Sequence, residues 1–156
     1  MRFLTGTNIQ AQVRSIASRP GPLMVAVAYW GKGATELTGL AERKDSAGAR
    51  VICDLLSGAC NPAEVETLAR PGVSVRTLDR LHAKVWISGD EVIVGSANAS
   101  HSGLPWDEEE AARASIEAAV LTRSVRLARQ LSTWFEEQWC ASTEIKKSHL
   151  DQARDI

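Results

Sequence analysis

Cysteine is scarce, and its scarcity excludes two kinds of scaffold. The chain has three, Cys53, Cys60 and Cys140, an odd number that makes no disulfide framework. Cys53 and Cys60 stand seven apart, which is not the close spacing of a zinc knuckle. Reduced, buried thiols are expected, with no metal held through them. Long apolar runs are missing too. None approaches the roughly 20 residues that a membrane span needs. The opening "MRFLTGTNIQAQV" lacks the charged, apolar, small-residue order of a signal peptide, so a cytoplasmic protein is expected. Neither sign of charge dominates. The formal net charge is -1, which gives no overall basic footprint for a polyanion but leaves room for a local basic patch. There are no internal repeats.

What is present reads as a globular domain. Apolar residues make up 44% and charged residues 24% of 156 positions, enough for a real core. "NIQAQVRSIASR" (8–19) repeats Ile9, Val13 and Ile16 at helical spacing. "LMVAVAYW" (23–30) and "ARVICDLL" (49–56) read as buried strands, and "PGVSVRTL" (71–78) turns into a third. Between them lie helices predicted over 33–44, weakened by Gly39, and over 62–70, with Pro62 in the first turn. "DSAGA" (45–49) is a predicted loop. Strands alternating with helices imply parallel pairing through right-handed crossovers. The pattern then changes. "AKVWI" (83–87) and "EVIVG" (91–95), joined by "SGD", form a hairpin, antiparallel by geometry. A polar loop over 101–110, a strand over 115–122 and a long amphipathic helix over 123–140 follow. The expected fold is α/β, a mixed sheet flanked by helices on both faces. Residues 1–140 are expected to make one domain and 141–156 a polar, fraying tail.

The hairpin carries the chemistry. His82 and Lys84 are two apart, so on a strand they point the same way. The return strand brings Ser96 and Asn98 back toward them, and Gly95 permits close backbone approach. Imidazole, ammonium, hydroxyl and amide around one small volume suit a phosphate ester. Lys84 neutralises the non-bridging oxygens, Ser96 and Asn98 donate to them, and His82 attacks phosphorus or moves a proton. No carboxylate cluster stands there to hold a metal, so neither metal nor other cofactor is implied.

These residues resemble the signature of the phospholipase D superfamily: His-x-Lys, then an Asp, then Gly-Ser-x-Asn. Here it stands as "HAK", "D" and "GSAN", that is His82, Lys84, Asp90, Gly95, Ser96 and Asn98. The match is to the small, single-motif, endonuclease-like members. Their Asp lies five after the Lys, a place that Gly89 holds here, and their Gly-Ser lies twelve after, where Gly95 is eleven; the hairpin is shorter. The resemblance implies a metal-independent phosphodiesterase, a hydrolase working through a phosphohistidine on one His while a second protonates the leaving group and then activates water. It implies two motifs per site. This chain has one, so it implies a homodimer with the site on its two-fold axis. It also implies that Glu117, at the start of an apolar strand, holds the imidazole of His82 through its other nitrogen.

Other residues can join this site. Lys32 follows the end of a strand, where α/β sheets often bind ligands. Asp54 and Ser57 similarly follow a strand and line a cleft or cap the next helix. Trp30, Trp86 and Trp106 can stack on bases; Trp86, in alternation with His82 and Lys84, is the first choice, and Trp30 reads as core. "DEEE" (107–110) reads as a solvated loop, and His101 and His149 as surface residues. Nucleic acid is the expected substrate and partner. A phospholipid phosphodiesterase or transferase is the alternative enzyme, and an inactive dimeric nucleic-acid-binding module the alternative outside enzymes.

Overall fold

The computed structural model describes residues 1–44 and 48–156; the centre of the predicted 45–49 loop lies outside the described residues. An eight-stranded sheet runs in the order β1-β7-β6-β5-β2-β3-β4-β8. Its strands are β1 (Arg2–Thr5), β2 (Leu23–Val27), β3 (Ala49–Cys53), β4 (Val73–Thr77), β5 (Lys84–Ser88), β6 (Glu91–Gly95), β7 (Ala118–Arg123) and β8 (Thr143–Glu144). β2, β3 and β4 pair in parallel. Every other neighbour is antiparallel. The change of hydrophobic pattern after residue 78 therefore marks a real change of pairing, and the sheet is mixed as expected.

Alternation sorts the strand residues between two cores. Leu23, Val25 and Val27 of β2 face one side with Val51, Trp86 and Ile93. There α1 (Thr7–Ala17), α3 (Pro62–Leu68) and α6 (Lys147–Arg154) cover them with Ile9, Val13, Ile16, Val65, Leu68 and Leu150. Ala26, Ile52, Val85, Ile87 and Val92 face the other side against Ala128 and Phe135 of α5 (Val125–Ala141). Ser124 caps α5 by accepting from Leu127 N at 3.1 Å.

Several boundaries differ from the sequence expectation. The helix over 33–44 is only α2 (Ala34–Leu37), because Gly39 adopts φ 85° and the chain resumes as a 3-10 turn over Leu40–Glu42. β2 stops at Val27, and beyond it Trp30 makes only an isolated bridge with Ala99. β1 was not expected: four residues with only Leu4 buried carry almost no periodic signal. The tail over 141–156 does not fray. β8 pairs with β4, and α6 places Leu150 and Ala153 in the first core. A short helix at the end of the polar 101–110 loop, α4 (Glu108–Ala111), is capped by Asp107, which accepts from Glu110 N at 2.8 Å.

The β5–β6 turn is two residues long, since Ser88 pairs with Glu91. Gly89 takes φ 59°, the pattern of a type II′ turn, and this compact turn accounts for the short hairpin. Gly95 is needed for another reason. A Cβ there would meet Ala119 Cβ at 2.5 Å and Ala118 O at 2.8 Å. The close approach is to β7, so the room expected at Gly95 for a substrate is filled by the neighbouring strand. Gly95→Ala should therefore destabilise the protein by about 1–3 kcal/mol, as overpacking does, read as a lowered urea midpoint. An unchanged midpoint would show that β7 yields without cost.

Candidate active site

The site forms where β2 ends and β5 begins. Val27 and Lys84 are partners in the antiparallel register, and Ala28 N continues the pairing to Ala83 O at 3.1 Å. Tyr29 and His82 thereby project beside each other just beyond the sheet. Their rings meet edge-on with centroids 5.8 Å apart. His82 is exposed, whereas Lys84 is only 8% exposed.

Lys84 Nζ lies 3.2 Å from Nδ1 and 3.1 Å from Nε2 of His82 and 6.0 Å from the Tyr29 ring centroid. Either ring nitrogen accepts from the ammonium only in the tautomer that leaves it unprotonated, and the contact sets the imidazole beside a cation. Burial pushes the Lys84 pKa below its ordinary value, and the charge of Glu117 pulls it partly back.

The return strand supplies the other groups. Asn98 Oδ1 accepts from Tyr29 N at 3.3 Å, which leaves its NH2 to donate. Ser96 Oγ accepts from Ala118 N at 3.0 Å and is hydrogen-bonded to the Glu117 carboxylate. Glu117 therefore engages Ser96 and not the imidazole, in contrast to the expected partnership with His82. It still faces the centre, because Lys84 feels its charge. Beside these groups lies a cleft of 230 Å³ walled by Tyr29, Gly31, Asn98, Ser100 and Glu117.

Three expected residues stand elsewhere. Asp90 sits in the turn at the far end of the hairpin, on the order of 15 Å along β5 from Lys84. There its carboxylate lies 3.9 Å from Arg19 and its carbonyl accepts from Ser124 N at 2.9 Å, a structural role. Trp86 is 3% exposed and packs on Trp30 at 6.1 Å, so it offers no ring face to a base. Gly95 is closed by β7. Lys32, by contrast, is exposed and follows Gly31, which lines the cleft.

Two residues of the site were not singled out or were left undecided by the sequence. Tyr29 was read as the end of an apolar strand; its place at the carboxyl end of a central strand was the available signal. Asp54 Oδ2 accepts from Arg80 N at 3.1 Å. Arg80 has φ 68° and is the only non-glycine residue with positive φ among the described residues. Asp54 thus pins a strained turn two residues before His82, and its own pKa is raised, chiefly by burial. Among the described residues no group of three or more His, Cys, Asp or Glu side chains could hold a metal ion.

With this fold and site in view, comparison with known proteins is direct. The family model described as cardiolipin synthase, PLD-like domain, matches residues 41–139, and the chain belongs to that phospholipase D-like family. No curated protein matches it. Among solved structures it is similar to NucT from Helicobacter pylori, with TM-score 0.73 and 14% identity over 92% of this chain and 98% of that one. It is similar also to Nuc from Salmonella typhimurium, a phospholipase D family member, with TM-score 0.70 and 16% identity over 94% and 99%. A phosphatidylserine synthase from Haemophilus influenzae aligns with TM-score 0.69 and 14% identity over 99% of this chain but 42% of that one. At these identities the likeness is one of fold.

The buried ammonium carries a stability cost that can be measured. A lysine whose folded pKa is depressed destabilises the fold while it is charged in both states. The cost is relieved as pH rises from the folded toward the unfolded pKa. Lys84→Met should therefore melt higher at pH 7 by about 2–4 °C, the size of a ~1 kcal/mol change in a chain of this length. The advantage should shrink by pH 10. A variant less stable than wild type at pH 7 would mean that the ammonium stabilises its surroundings.

Proposed function

We propose that this protein is a metal-independent phosphodiesterase that cleaves nucleic acid through a phosphohistidine on His82. The observation that carries the reading is the contact between the Lys84 ammonium and the His82 ring nitrogens. When a phosphodiester enters, Lys84 and the Asn98 NH2 turn to its non-bridging oxygens. The freed lone pair of His82 attacks phosphorus, a P–N bond forms and the P–O bond to the leaving group breaks. The leaving oxygen takes its proton from a second imidazolium. Water then attacks the phosphohistidine, giving up a proton to that second imidazole, and His82 is regenerated. Ser96 and Glu117 hold the start of β7 beside the reacting groups and tune the charge around Lys84.

The second imidazole is proposed to come from a second copy of the chain. An apolar row supports this. Phe3 pairs with Val120 and Val120 with Val94 across β1, β7 and β6. α5 covers the same sheet face at Val85 but leaves this row open, with Phe3 73% exposed. Val94 and Val120 each lie two residues from the groups that frame the site, Ser96 and Ala118. A second copy seated on this row would bring the two His82 residues toward a common axis.

Nucleic acid is favoured over a lipid headgroup by two exposed cations, Lys32 after β2 and Arg80 before β5, whose side chains have no acidic partner among the described residues. In the nuclease reading they meet phosphates on either side of the one being cleaved, a need that a single-phosphate lipid does not have. The family description and the synthase fold keep phospholipid as the second substrate class. No helix among the described residues is long and apolar enough to cross a membrane.

His82→Ala should abolish hydrolysis, by something like the ~10⁶-fold seen when a covalent nucleophile is removed, and leave the far-UV spectrum unchanged. Rapid quench with labelled DNA, RNA and phosphatidylcholine, all in EDTA, should trap an acid-labile adduct that maps to His82 with a nucleic acid. An adduct elsewhere, or a strict need for added magnesium, overturns the mechanism; turnover of the lipid alone overturns the substrate.

Sedimentation at micromolar concentration should give a dimer, and Val120→Glu a monomer that has lost activity. A fully active wild-type monomer defeats the shared-site reading.

A further inference from the structure

Of the three tryptophans that the sequence offers for stacking, Trp30 and Trp86 are buried and Trp106 is 53% exposed. Trp106 borders a second cleft, of 280 Å³, shared with Arg14, Glu36, Glu42, Gly33 and His101. This cleft is separated by a thin wall from the 230 Å³ cleft bordered by Tyr29, Asn98 and Glu117. Gly31 and Ser100 line that first cleft, and Gly33 and His101 line the second. The two segments touch along their length. A Cβ on Gly31 would lie 3.1 Å from Ser100 Cβ, and one on Gly33 would lie 3.1 Å from His101 Nε2. Gly31 and Gly33 are two Cα steps apart, at most about 7 Å, so the two clefts open close together.

The second cleft is also prearranged. One oxygen of Glu110 contacts both His101 Nδ1, at 2.9 Å, and Trp106 N, at 3.4 Å. Asp107 holds Glu110 in turn by capping α4. Arg14 lies 5.4 Å from the Trp106 ring centroid and is itself fixed by Glu36 O at 2.7 Å and by the Glu42 carboxylate at 2.9 Å. The "DEEE" stretch therefore holds the His101 ring and the Trp106 backbone, while Arg14 lies over the indole. Glu36 and Glu42 would repel a phosphate here, yet they suit the amino edge of a base, as carboxylates accept from such groups.

We infer that this cleft is a nucleobase subsite: it takes the base of a nucleotide adjoining the scissile phosphate, against Trp106 and His101. The inference rests on the nuclease reading and narrows it, because it requires a single-stranded or unstacked substrate whose base is free to turn away from the strand.

The test compares a single-stranded DNA oligonucleotide with the same strand made abasic at the nucleotides flanking the cleaved bond. Wild type should favour the intact strand in kcat/KM by roughly 5–150-fold, the worth of one base on an aromatic ring. Trp106→Ala should collapse that ratio toward one, and Trp106→Phe should keep part of it. A wild type without preference, or a Trp106→Ala protein that keeps the ratio, overturns the subsite. If wild type cleaves neither strand, the nuclease reading fails separately. Titration of the His82→Ala protein with both strands then decides the subsite: tighter binding of the intact strand, lost in His82→Ala/Trp106→Ala, upholds it, and equal or absent binding overturns it.

Discussion

Everything at the site depends on the antiparallel meeting of β2 and β5 in the middle of the sheet. β2 is otherwise a strand of the parallel half, and β5 opens the antiparallel half. Where the halves join, the carboxyl end of one strand lies against the amino end of the other. A residue leaving β2 and a residue entering β5 can then share one corner, as Tyr29 and His82 do. In an all-parallel sheet those two ends would lie at opposite edges. The pairing of Val27 with Lys84 fixes which side chains arrive together, and a slip of one residue would turn Lys84 to the α5 face.

That corner is costly to build. An ammonium is almost fully buried, against an aromatic ring and an imidazole, with one carboxylate near enough to be felt. The turn before His82 holds an arginine at positive φ. Both features are opposed by tight packing on either side: Trp30 fills the core beneath and is tied to Val27 O at 3.0 Å, and Asp54 anchors the strained turn from β3. The strain lies at the reacting groups and the support comes from the strands behind them.

The sequence disclosed the pairing change, the two cores and the long α5 because each is a sustained periodic signal. His82, Lys84, Ser96 and Asn98 were legible through their spacing on one hairpin, and Glu117 through the resemblance alone; the structure sets Lys84 against His82, Asn98 against Tyr29 and Glu117 against Ser96. β1 was not legible, since one buried residue in four makes no pattern, nor was α6, whose buried face is Leu150 and Ala153 within a polar run. Trp86 shows the limit of alternation as a guide. It shares a side of β5 with Lys84, but two residues further along that side is the interior, not the site. Asp90 shows the limit of a motif: adjacency in sequence carried it into the signature, while the hairpin carried it to the opposite end. The partner of Glu117 could not be read from order along the chain, because Ser96 and His82 stand at the adjoining ends of the two paired strands β6 and β5.

The distribution of charge bears on how a near-neutral chain would serve the proposed polyanionic substrate. Lys84 stands with His82 where β2 and β5 meet, with exposed Lys32 after β2 and exposed Arg80 before β5, whereas Glu36, Glu42 and Glu110 stand around Trp106. The net charge averages these two neighbourhoods and so describes neither. A strand lying across the wall has the same polarity: anionic phosphates along its backbone, and bases whose amino groups seek acceptors. The acidic stretch, which taken alone argues against a nucleic-acid ligand, thus fits one that turns a base toward it and keeps its phosphates on the lysine side. Few phosphates need be neutralised in such an arrangement, so the protein needs no broad basic face.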